Sequence, residues 1–221
     1  MKFFNTLSLF LLLLFFSVCH AGNYLGKTFT FGMYELNESV LRSPLMFTVI
    51  DERDHEVLVI CQNGIDVKPF NTKDTEVTWD DCSLRKWLNE EFLINAFSFD
   101  ERQYIVKSSV LTSPNRLYPN KKKIFETEDY IFLLDEVEAE LYFLLPEDRI
   151  AIMSDRIKKL VFSDENGYGD WWLRTSGGKL NRAVYVRDSG DIFYGGSIVT
   201  DDAIAVRPAF WIKKSYFDFV D

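Results

Sequence analysis

The sequence predicts an α+β fold in which most strands pair in antiparallel fashion. Strand-like segments, which alternate in polarity or are rich in β-branched residues, occupy the beginning and the end of the chain. Segments with apolar residues at helical spacing lie between them and predict two or three helices. Strands, then helices, then strands again is an order typical of α+β domains.

The N-terminus has the three-part pattern of a signal peptide over residues 1–21. Lys2 supplies a positive charge, and the apolar run 7–18 is shorter than the roughly 20 residues that a membrane-spanning helix needs. Two alternatives stay open, a lipoprotein acylated at Cys19 and an uncleaved anchor. We therefore expect a secreted or extracytoplasmic protein with a single domain over residues 22–221 and no membrane span after signal removal.

The first elements of the domain are predicted to be strands. Residues 28–34 alternate between polar and apolar side chains. Residues 45–50 and 57–62 are rich in apolar and β-branched side chains, and the polar segment 51–55 between them predicts a hairpin turn.

In the middle of the chain, apolar residues recur at the spacing of an α-helix. Residues 78–81 (TWDD) predict a capping box that starts a helix, and a second short helix is predicted over 100–104 with Ser98 as its N-cap. Residues 105–111 predict a strand. The apolar residues at helical spacing in the first helix are Leu84, Trp87, Leu88 and Phe92.

A surface loop with the lysine run 121–123 leads into a second apolar region. The lysine run favours a solvated turn over a binding patch. Residues 130–134 predict a strand, residues 136–145 a helix, and residues 149–159 a further helix. The apolar face of the helix over 136–145 is predicted to consist of Val137, Leu141 and Leu144.

The last third returns to strands. Residues 171–174 (WWLR) predict one strand, and the turn 188–191 (DSGD) predicts a hairpin over residues 183–194. Residues 203–212 predict a final strand that Pro208 interrupts.

The composition excludes several kinds of chemistry. A formal net charge of −9 disfavours phosphate backbones, so we expect no nucleic-acid partner. After residue 21 the sole histidine is His55, in a polar turn, and there is no Cys/His cluster, P-loop or GxGxxG pattern. We therefore predict no catalytic residue, no metal site and no cofactor. Calcium stays an alternative through the oxygen ligands Asp188, Asp191, Asp201 and Asp202.

The sequence leaves the state of Cys61 and Cys82 open between a disulfide and two buried thiols. The predicted ligand surface lies near the aromatic strand, because sugar C–H faces stack on aromatic rings and carboxylates precede them. The candidate ligand-binding residues are Asp170, Trp171, Trp172, Arg174 and Arg207. The alternative is that these aromatic and arginine residues build the core, in which case each arginine needs a carboxylate or carbonyl partner.

Six segments resemble, in the same order, a family of uncharacterised, mostly secreted or surface-associated bacterial proteins. They are residues 31–34, 65–71, 78–89, 131–134, 171–174 and 206–209. The most specific are the WWLR strand and the TWxxCxLRxWLN segment, whose motif residues are Trp79, Cys82, Arg85, Trp87 and Asn89. The chain departs from the family at Val67, where cysteine is frequent, and at residues 175–177, where Ser-Pro-Gly is commoner.

The resemblance implies a divergent C-type-lectin-like fold, which also includes formylglycine-generating enzymes. That enzyme branch uses a late cysteine pair, and this chain has no cysteine after Cys82, so its activity is not expected. The motif residues are expected to specify the fold, with Arg85 and Asn89 bracing the loop around Asn71. We predict a non-enzymatic binding or surface-interaction domain for a glycan or protein ligand. The alternatives are a carboxylate-dependent enzyme acting on polysaccharide or cell wall, and a structural envelope protein.

Overall fold

The structure, a computed structural model, describes residues 24–37, 41–119, 125–161 and 163–219. The predicted signal peptide and the lysine run 121–123 lie outside these residues. Within them the fold is α+β with mainly antiparallel strands, as predicted. No helix of the described parts is long and apolar enough to cross a membrane.

Short strands outnumber helices in the described chain. The strands are β1 (Thr28–Tyr34), β2 (Ser43–Arg53), β3 (Glu56–Cys61), β4 (Asn63–Gly64), β5 (Asp66–Val67), β6 (Ile105–Val106), β7 (Ser108–Thr112), β8 (Phe125–Asp129), β9 (Ile152–Met153), β10 (Trp171–Ser176), β11 (Arg182–Val186), β12 (Ile192–Ile198), β13 (Ala205–Val206) and β14 (Ala209–Lys213). The helices are α1 (Ser83–Trp87), α2 (Leu93–Ala96), α3 (Phe99–Arg102), α4 (Glu136–Tyr142) and α5 (Pro146–Arg149), with a π-helical turn at Leu88–Phe92 and a 3₁₀-helix at Lys214–Phe219.

Two five-stranded sheets carry the fold. The first has the order β1-β2-β3-β14-β6 and is antiparallel, and the second has the order β12-β11-β10-β13-β5 with one parallel pair, β10 and β13. Strands β4 and β9 pair in parallel, and β7 pairs with β8. Pro208 separates β13 from β14, and because proline cannot donate to a ladder, the two halves of the predicted final strand join different sheets.

The predicted strands and hairpins at both ends of the chain are confirmed. Strands β2 and β3 form the first hairpin around a turn at residues 54–55, and β11 and β12 form the second. The turn of the second hairpin contains Gly190 with a φ of +83°, a conformation that favours glycine. The short helix capped by Ser98 is also confirmed, with the Ser98 hydroxyl accepting from the Glu101 amide.

The start of the first helix differs from the prediction. Residues 78–81 form a turn, and the N-cap is Cys82, whose Sγ atom accepts from the Arg85 amide at 3.4 Å. The predicted capping box at Thr78 is therefore wrong. The Thr78 hydroxyl instead hydrogen-bonds the Asp80 carboxylate, which shapes the turn that precedes the helix.

Two other predictions about the middle of the chain are wrong, and a third is confirmed only in part. The strand predicted over 130–134 forms earlier, as β8, and Phe132 keeps only an isolated bridge to Ala209. The segment 105–111 divides into β6 and β7, which belong to different sheets. The segment 149–159 is not a helix, because Ile152 and Met153 pair with β4 instead. In each case, pairing with a segment distant in the sequence overrides the structure that the local spacing of apolar residues favours.

The helix predicted over 136–145 forms, but its apolar face points outward. Val137, Leu141 and Leu144 are 48%, 64% and 79% exposed. The buried side of α4 carries Glu136 and Ala139. The helix turns this side inward because its capping residues, Asp135 and Glu138, contact a buried arginine described below.

Candidate functional site

The structure contradicts the predicted aromatic ligand surface at Trp171 and Trp172, because both indole rings are fully buried. The Trp171 Nε1 atom donates to the carbonyl of Arg149 at 3.0 Å, and the Trp172 Nε1 atom donates to the carbonyl of Lys68 at 2.9 Å. These internal bonds satisfy both rings. Trp171 and Trp172 are therefore core residues that hold neighbouring segments in place.

Arg174 is likewise a core residue and not a ligand contact. Its guanidinium donates to the Thr112 hydroxyl and to the carbonyls of Leu111 and Leu133, and it forms a two-oxygen ion pair with Glu138. Asp135 lies 3.6 Å away. Burial alone would lower the pKa of Arg174, but the carboxylates reverse this effect and raise it. The arginine thus joins β10, β7 and α4 inside the core.

The tryptophan-cysteine-arginine motif forms a second buried network, centred on Asp129. This carboxylate accepts from Trp79 Nε1 at 3.0 Å, from Arg85 Nε at 2.6 Å and from the Thr127 hydroxyl at 2.7 Å. Trp79 is fully buried. The motif residues therefore specify the packing of α1 against β8.

Arg85 and Asn89 brace a different loop from the one predicted. The Asn89 amide donates to the Ile131 carbonyl at 2.8 Å and accepts from the Tyr130 amide at 2.7 Å. Asn71 is held instead by Ser83, whose backbone amide donates to the Asn71 side chain at 3.2 Å.

Both described cysteines are free and buried. Burial raises the pKa of the Cys61 thiol to about 11 and that of the Cys82 thiol to about 12. Of the two states that the sequence left open, the structure contains two free, enclosed thiols. Neither one is suited to nucleophilic chemistry near neutral pH.

A groove lies between the segment after β5 and the polar face of α1, and we call it the motif groove. It encloses about 350 Å³, within the range of ligand pockets. Its lining includes Lys68, Pro69, Thr72, Lys86, Trp87, Glu90 and Glu91.

Three hydrogen bonds fix the two walls of the motif groove to each other. The Leu84 amide donates to the Phe70 carbonyl at 3.2 Å, and the Thr72 amide donates to the Ser83 hydroxyl at 3.0 Å. The third is the Ser83 to Asn71 bond described above. Beyond these contacts, the π-helical turn at Leu88–Phe92 runs along the groove, and such turns are frequent at functional sites.

Trp87, whose ring is half-buried, is one of the residues that line the motif groove. The Lys68 ammonium lies 5.1 Å from the ring centre, a cation–π distance, and the Trp172 bond to the Lys68 carbonyl fixes this segment from below. Glu90, Glu91 and Lys86 are exposed at the rim. The groove therefore offers an aromatic face with hydrogen-bond donors and acceptors around it.

Sequence reasoning placed Trp87 among the structural residues and missed Lys68, Glu90 and Glu91. The available signal was the spacing within the helix. Trp87, Glu90 and Glu91 lie three to four residues apart, so they share one side of the helix, while Leu84 and Leu88 share the buried side.

A second concavity of about 290 Å³ lies on the last hairpin, and we call it the hairpin groove. Tyr118 and Phe193, which are 42% and 36% exposed, flank a floor of glycines. Lys179 and Arg182 line its side. Two larger depressions, of about 490 and 380 Å³, lie beside Tyr130 and beside Tyr34.

Two of the four acidic residues considered for calcium, Asp191 and Asp201, accept hydrogen bonds from serine hydroxyls two and four residues earlier in the chain. The Asp191 carboxylate accepts from the Ser189 hydroxyl at 3.0 Å, and the Asp201 carboxylate accepts from the Ser197 hydroxyl at 2.6 Å. The backbone amide of Asp188 donates to the Asp170 carboxylate at 2.9 Å. In the described parts of the chain, no group of three or more His, Cys, Asp or Glu residues is placed to hold a metal ion.

The fold and these grooves define an α+β domain with more than one small-ligand-sized concavity. Residues 54–214 match the family described as a domain of unknown function (DUF6273), so the chain belongs to that family. No curated protein and no solved structure matches the chain. The matched range contains both the motif groove and the hairpin groove.

Proposed function

We propose that this protein is an exported, non-enzymatic glycan-binding domain and that the motif groove is its ligand site. The observation that carries the proposal is the Trp87 ring, which lies in a pocket of about 350 Å³ with Lys68 over it and carboxylates at its rim. Ligand sites combine an apolar surface with a few convergent polar groups in this way.

The chemistry around Trp87 matches a sugar. A sugar hydroxyl both donates and accepts hydrogen bonds, so it needs acceptors and donors on the protein. Glu90 and Glu91 supply acceptors, and Lys68 and Lys86 supply donors. The apolar C–H face of the sugar stacks on the indole ring.

The order of the last strands supports a divergent C-type-lectin-like fold. The Trp/Arg strand β10 is followed by the hairpin β11–β12 and then by the Ala-x-Arg segment that contains β13. Export remains our expectation from the apolar N-terminal pattern. The presence of several concavities favours a binding role over the purely structural alternative.

A glycan and cell-wall-fragment binding screen on the purified protein, with and without calcium, tests this function. We expect selective binding that the Trp87→Ala and Glu90→Gln/Glu91→Gln variants weaken about tenfold or more, because each removes a contact made inside the groove. The matched control is Phe193→Ala, which removes a partly exposed ring from the hairpin groove. Thermal melting confirms that each variant is folded.

Three outcomes contradict the proposal. If Phe193→Ala abolishes binding and Trp87→Ala does not, the ligand site lies in the hairpin groove. If no glycan binds and a pull-down with intact envelopes recovers one protein, the ligand is a protein. If binding requires calcium, the site includes a metal that the motif groove does not provide.

One observation favours a carboxylate-dependent enzyme as a second candidate function. Partial burial raises the pKa of Asp170 to about 6, and the nearby Asp188 and Asp201 carboxylates add to the increase. A carboxyl group with a raised pKa beside a second carboxylate is the arrangement that general acid catalysis uses. This function requires Asp170 to be partly protonated near neutral pH.

The stability of an Asp170→Asn variant across pH tests that requirement. A group whose pKa is raised in the folded state stabilises the fold at low pH and loses this contribution as the pH rises through about 6. The variant should therefore match the wild type near pH 4 and exceed it at pH 7.5. We expect a gain of about 1 kcal/mol, reduced by solvent screening. Equal melting temperatures at both pH values would argue against a raised pKa.

A further inference from the structure

The depression beside Tyr130, which we call the Tyr130 cavity, has room for a small molecule. It encloses about 490 Å³, within the range of ligand pockets. It lies where α2, the end of α3, strand β6 and the residue that follows β8 meet. None of its described lining residues also lines the motif groove, so the two are separate spaces.

Most of the wall of the Tyr130 cavity is apolar, and part of that wall is exposed to solvent. Leu93 and Ile105 are buried, whereas Ile94 is 62% exposed and the Tyr130 residue is 37% exposed. Solvent therefore reaches the cavity over apolar side chains. Exposed apolar side chains grouped around a concavity are typical of a surface that a ligand covers.

Arg102 gives the cavity a positive charge. It lines the cavity and is half-buried, and its Nη1 atom donates to the carbonyls of Phe97 at 3.1 Å and Ile94 at 3.3 Å. These two bonds hold the guanidinium in place. Among the described residues Arg102 has no ion-pair partner.

The other edge of the same guanidinium is available to a ligand. Its Nε and Nη2 atoms donate no hydrogen bond to any described residue. They are also not among the enclosed polar atoms that lack a partner, so both have surface that solvent reaches. Nε and Nη2 form one edge of the planar group, and such an edge matches the two oxygens of a carboxylate.

No carboxylate is among the described residues that line the cavity. Its other polar lining residues, Asn89 and Gln103, are neutral, and both donate to backbone carbonyls. A second cation lies nearby, because the Lys107 ammonium is 5.9 Å from the centre of the Tyr130 ring. In a chain with a net charge of −9, the cavity thus carries positive charge without an acidic side chain in its described lining. This charge favours an anion.

We propose that the Tyr130 cavity binds a small organic carboxylate with an apolar body. The carboxylate accepts from Nε and Nη2 of Arg102, while Nη1 keeps its bonds to the protein backbone. The apolar body packs on Tyr130, Ile94 and Leu93. The proposal does not depend on glycan binding in the motif groove.

Isothermal titration calorimetry of the purified protein with 2-naphthoate and 2-naphthamide tests this site. The two probes share the same ring system and differ in charge. We expect naphthoate to bind about tenfold more tightly, because a hydrogen bond to a charged group is about twice as strong as one between neutral groups. Equal affinities, or no binding of naphthoate at about 10 mM, would overturn the proposal.

Variants locate the bound probe. Arg102→Met keeps the apolar stem of the side chain and should remove the preference for naphthoate over naphthamide. Tyr130→Ala removes a partly exposed ring and should weaken both probes about tenfold. The matched control is Arg182→Met, a partly exposed arginine of the other five-stranded sheet, which should change neither affinity.

Two results with these variants would also overturn the proposal. One is a folded Tyr130→Ala variant that binds naphthoate as tightly as the wild type, and this measurement decides even if Arg102→Met does not fold. The other is loss of naphthoate binding in Trp87→Ala, which would place the probe in the motif groove. Retained naphthoate binding in Trp87→Ala supports a separate site, whatever the outcome of the glycan screen.

Discussion

Replacement of Arg174 by methionine should destabilise the domain by about 3–5 kcal/mol or prevent folding. Methionine fills much of the same volume, so the main loss is electrostatic. The variant leaves Glu138 and the buried Asp135 without their cation, and it leaves the carbonyls of Leu111 and Leu133 without their donor. A carboxylate that is buried without a partner costs far more than the ion pair gains.

Chemical denaturation of Arg174→Met beside Arg182→Met measures this effect. Arg182 lies on the adjacent strand, is partly exposed and donates to one carbonyl, that of Gly196, so its loss should cost about 1 kcal/mol. Adding Glu138→Gln to Arg174→Met should recover part of the stability, because it removes one unpaired charge. If Arg174→Met and Arg182→Met unfold at the same denaturant concentration, the network around Arg174 does not stabilise the fold.

The sequence predicted the elements whose signals are local. The hairpin turn at residues 188–191 and the cap at Ser98 depend on side chains that act within four residues, and both are present. The segment 149–159 has a helical pattern, yet Ile152 and Met153 pair with β4, about 90 residues earlier in the chain. A pairing partner that far away in the sequence cannot be detected from the local spacing of apolar residues.

The candidate ligand residues were harder to predict, because the type of a residue does not determine whether its side chain is buried or exposed in the fold. Trp87, Trp171 and Trp172 are all tryptophans, but their burial differs. The rings of Trp171 and Trp172 are fully buried, whereas the ring of Trp87, at the end of α1, is half-buried. Consecutive residues of β10 from Trp171 to Thr175 are all buried, so both faces of this strand are covered by the rest of the domain, which the run WWLR alone does not reveal. The second function of Trp172, fixing Lys68 beneath the groove, depends on a contact across 104 residues.

Replacement of Gly190 by alanine should destabilise the domain by about 3 kcal/mol or more, whereas the same change at Gly167 should cost about 1 kcal/mol. The two glycines have nearly equal backbone angles, with φ of +83° and +81°, so alanine is strained at both positions. They differ in the space that a new methyl group would occupy. At Gly167 it meets nothing within 4 Å, but at Gly190 it overlaps the backbone carbonyl of Pro146.

The overlap at Gly190 is costly because backbone, unlike the end of a flexible side chain, cannot move alone. Pro146 begins α5, and Arg149 at the end of α5 donates to the Gly190 carbonyl, so the hairpin turn and the helix would have to separate together. Thermal melting of the two variants measures the difference, which corresponds to about 4–8 °C in melting temperature. Equal losses would mean that α5 moves aside freely, and the tight contact between the hairpin turn and α5 would then not contribute to stability.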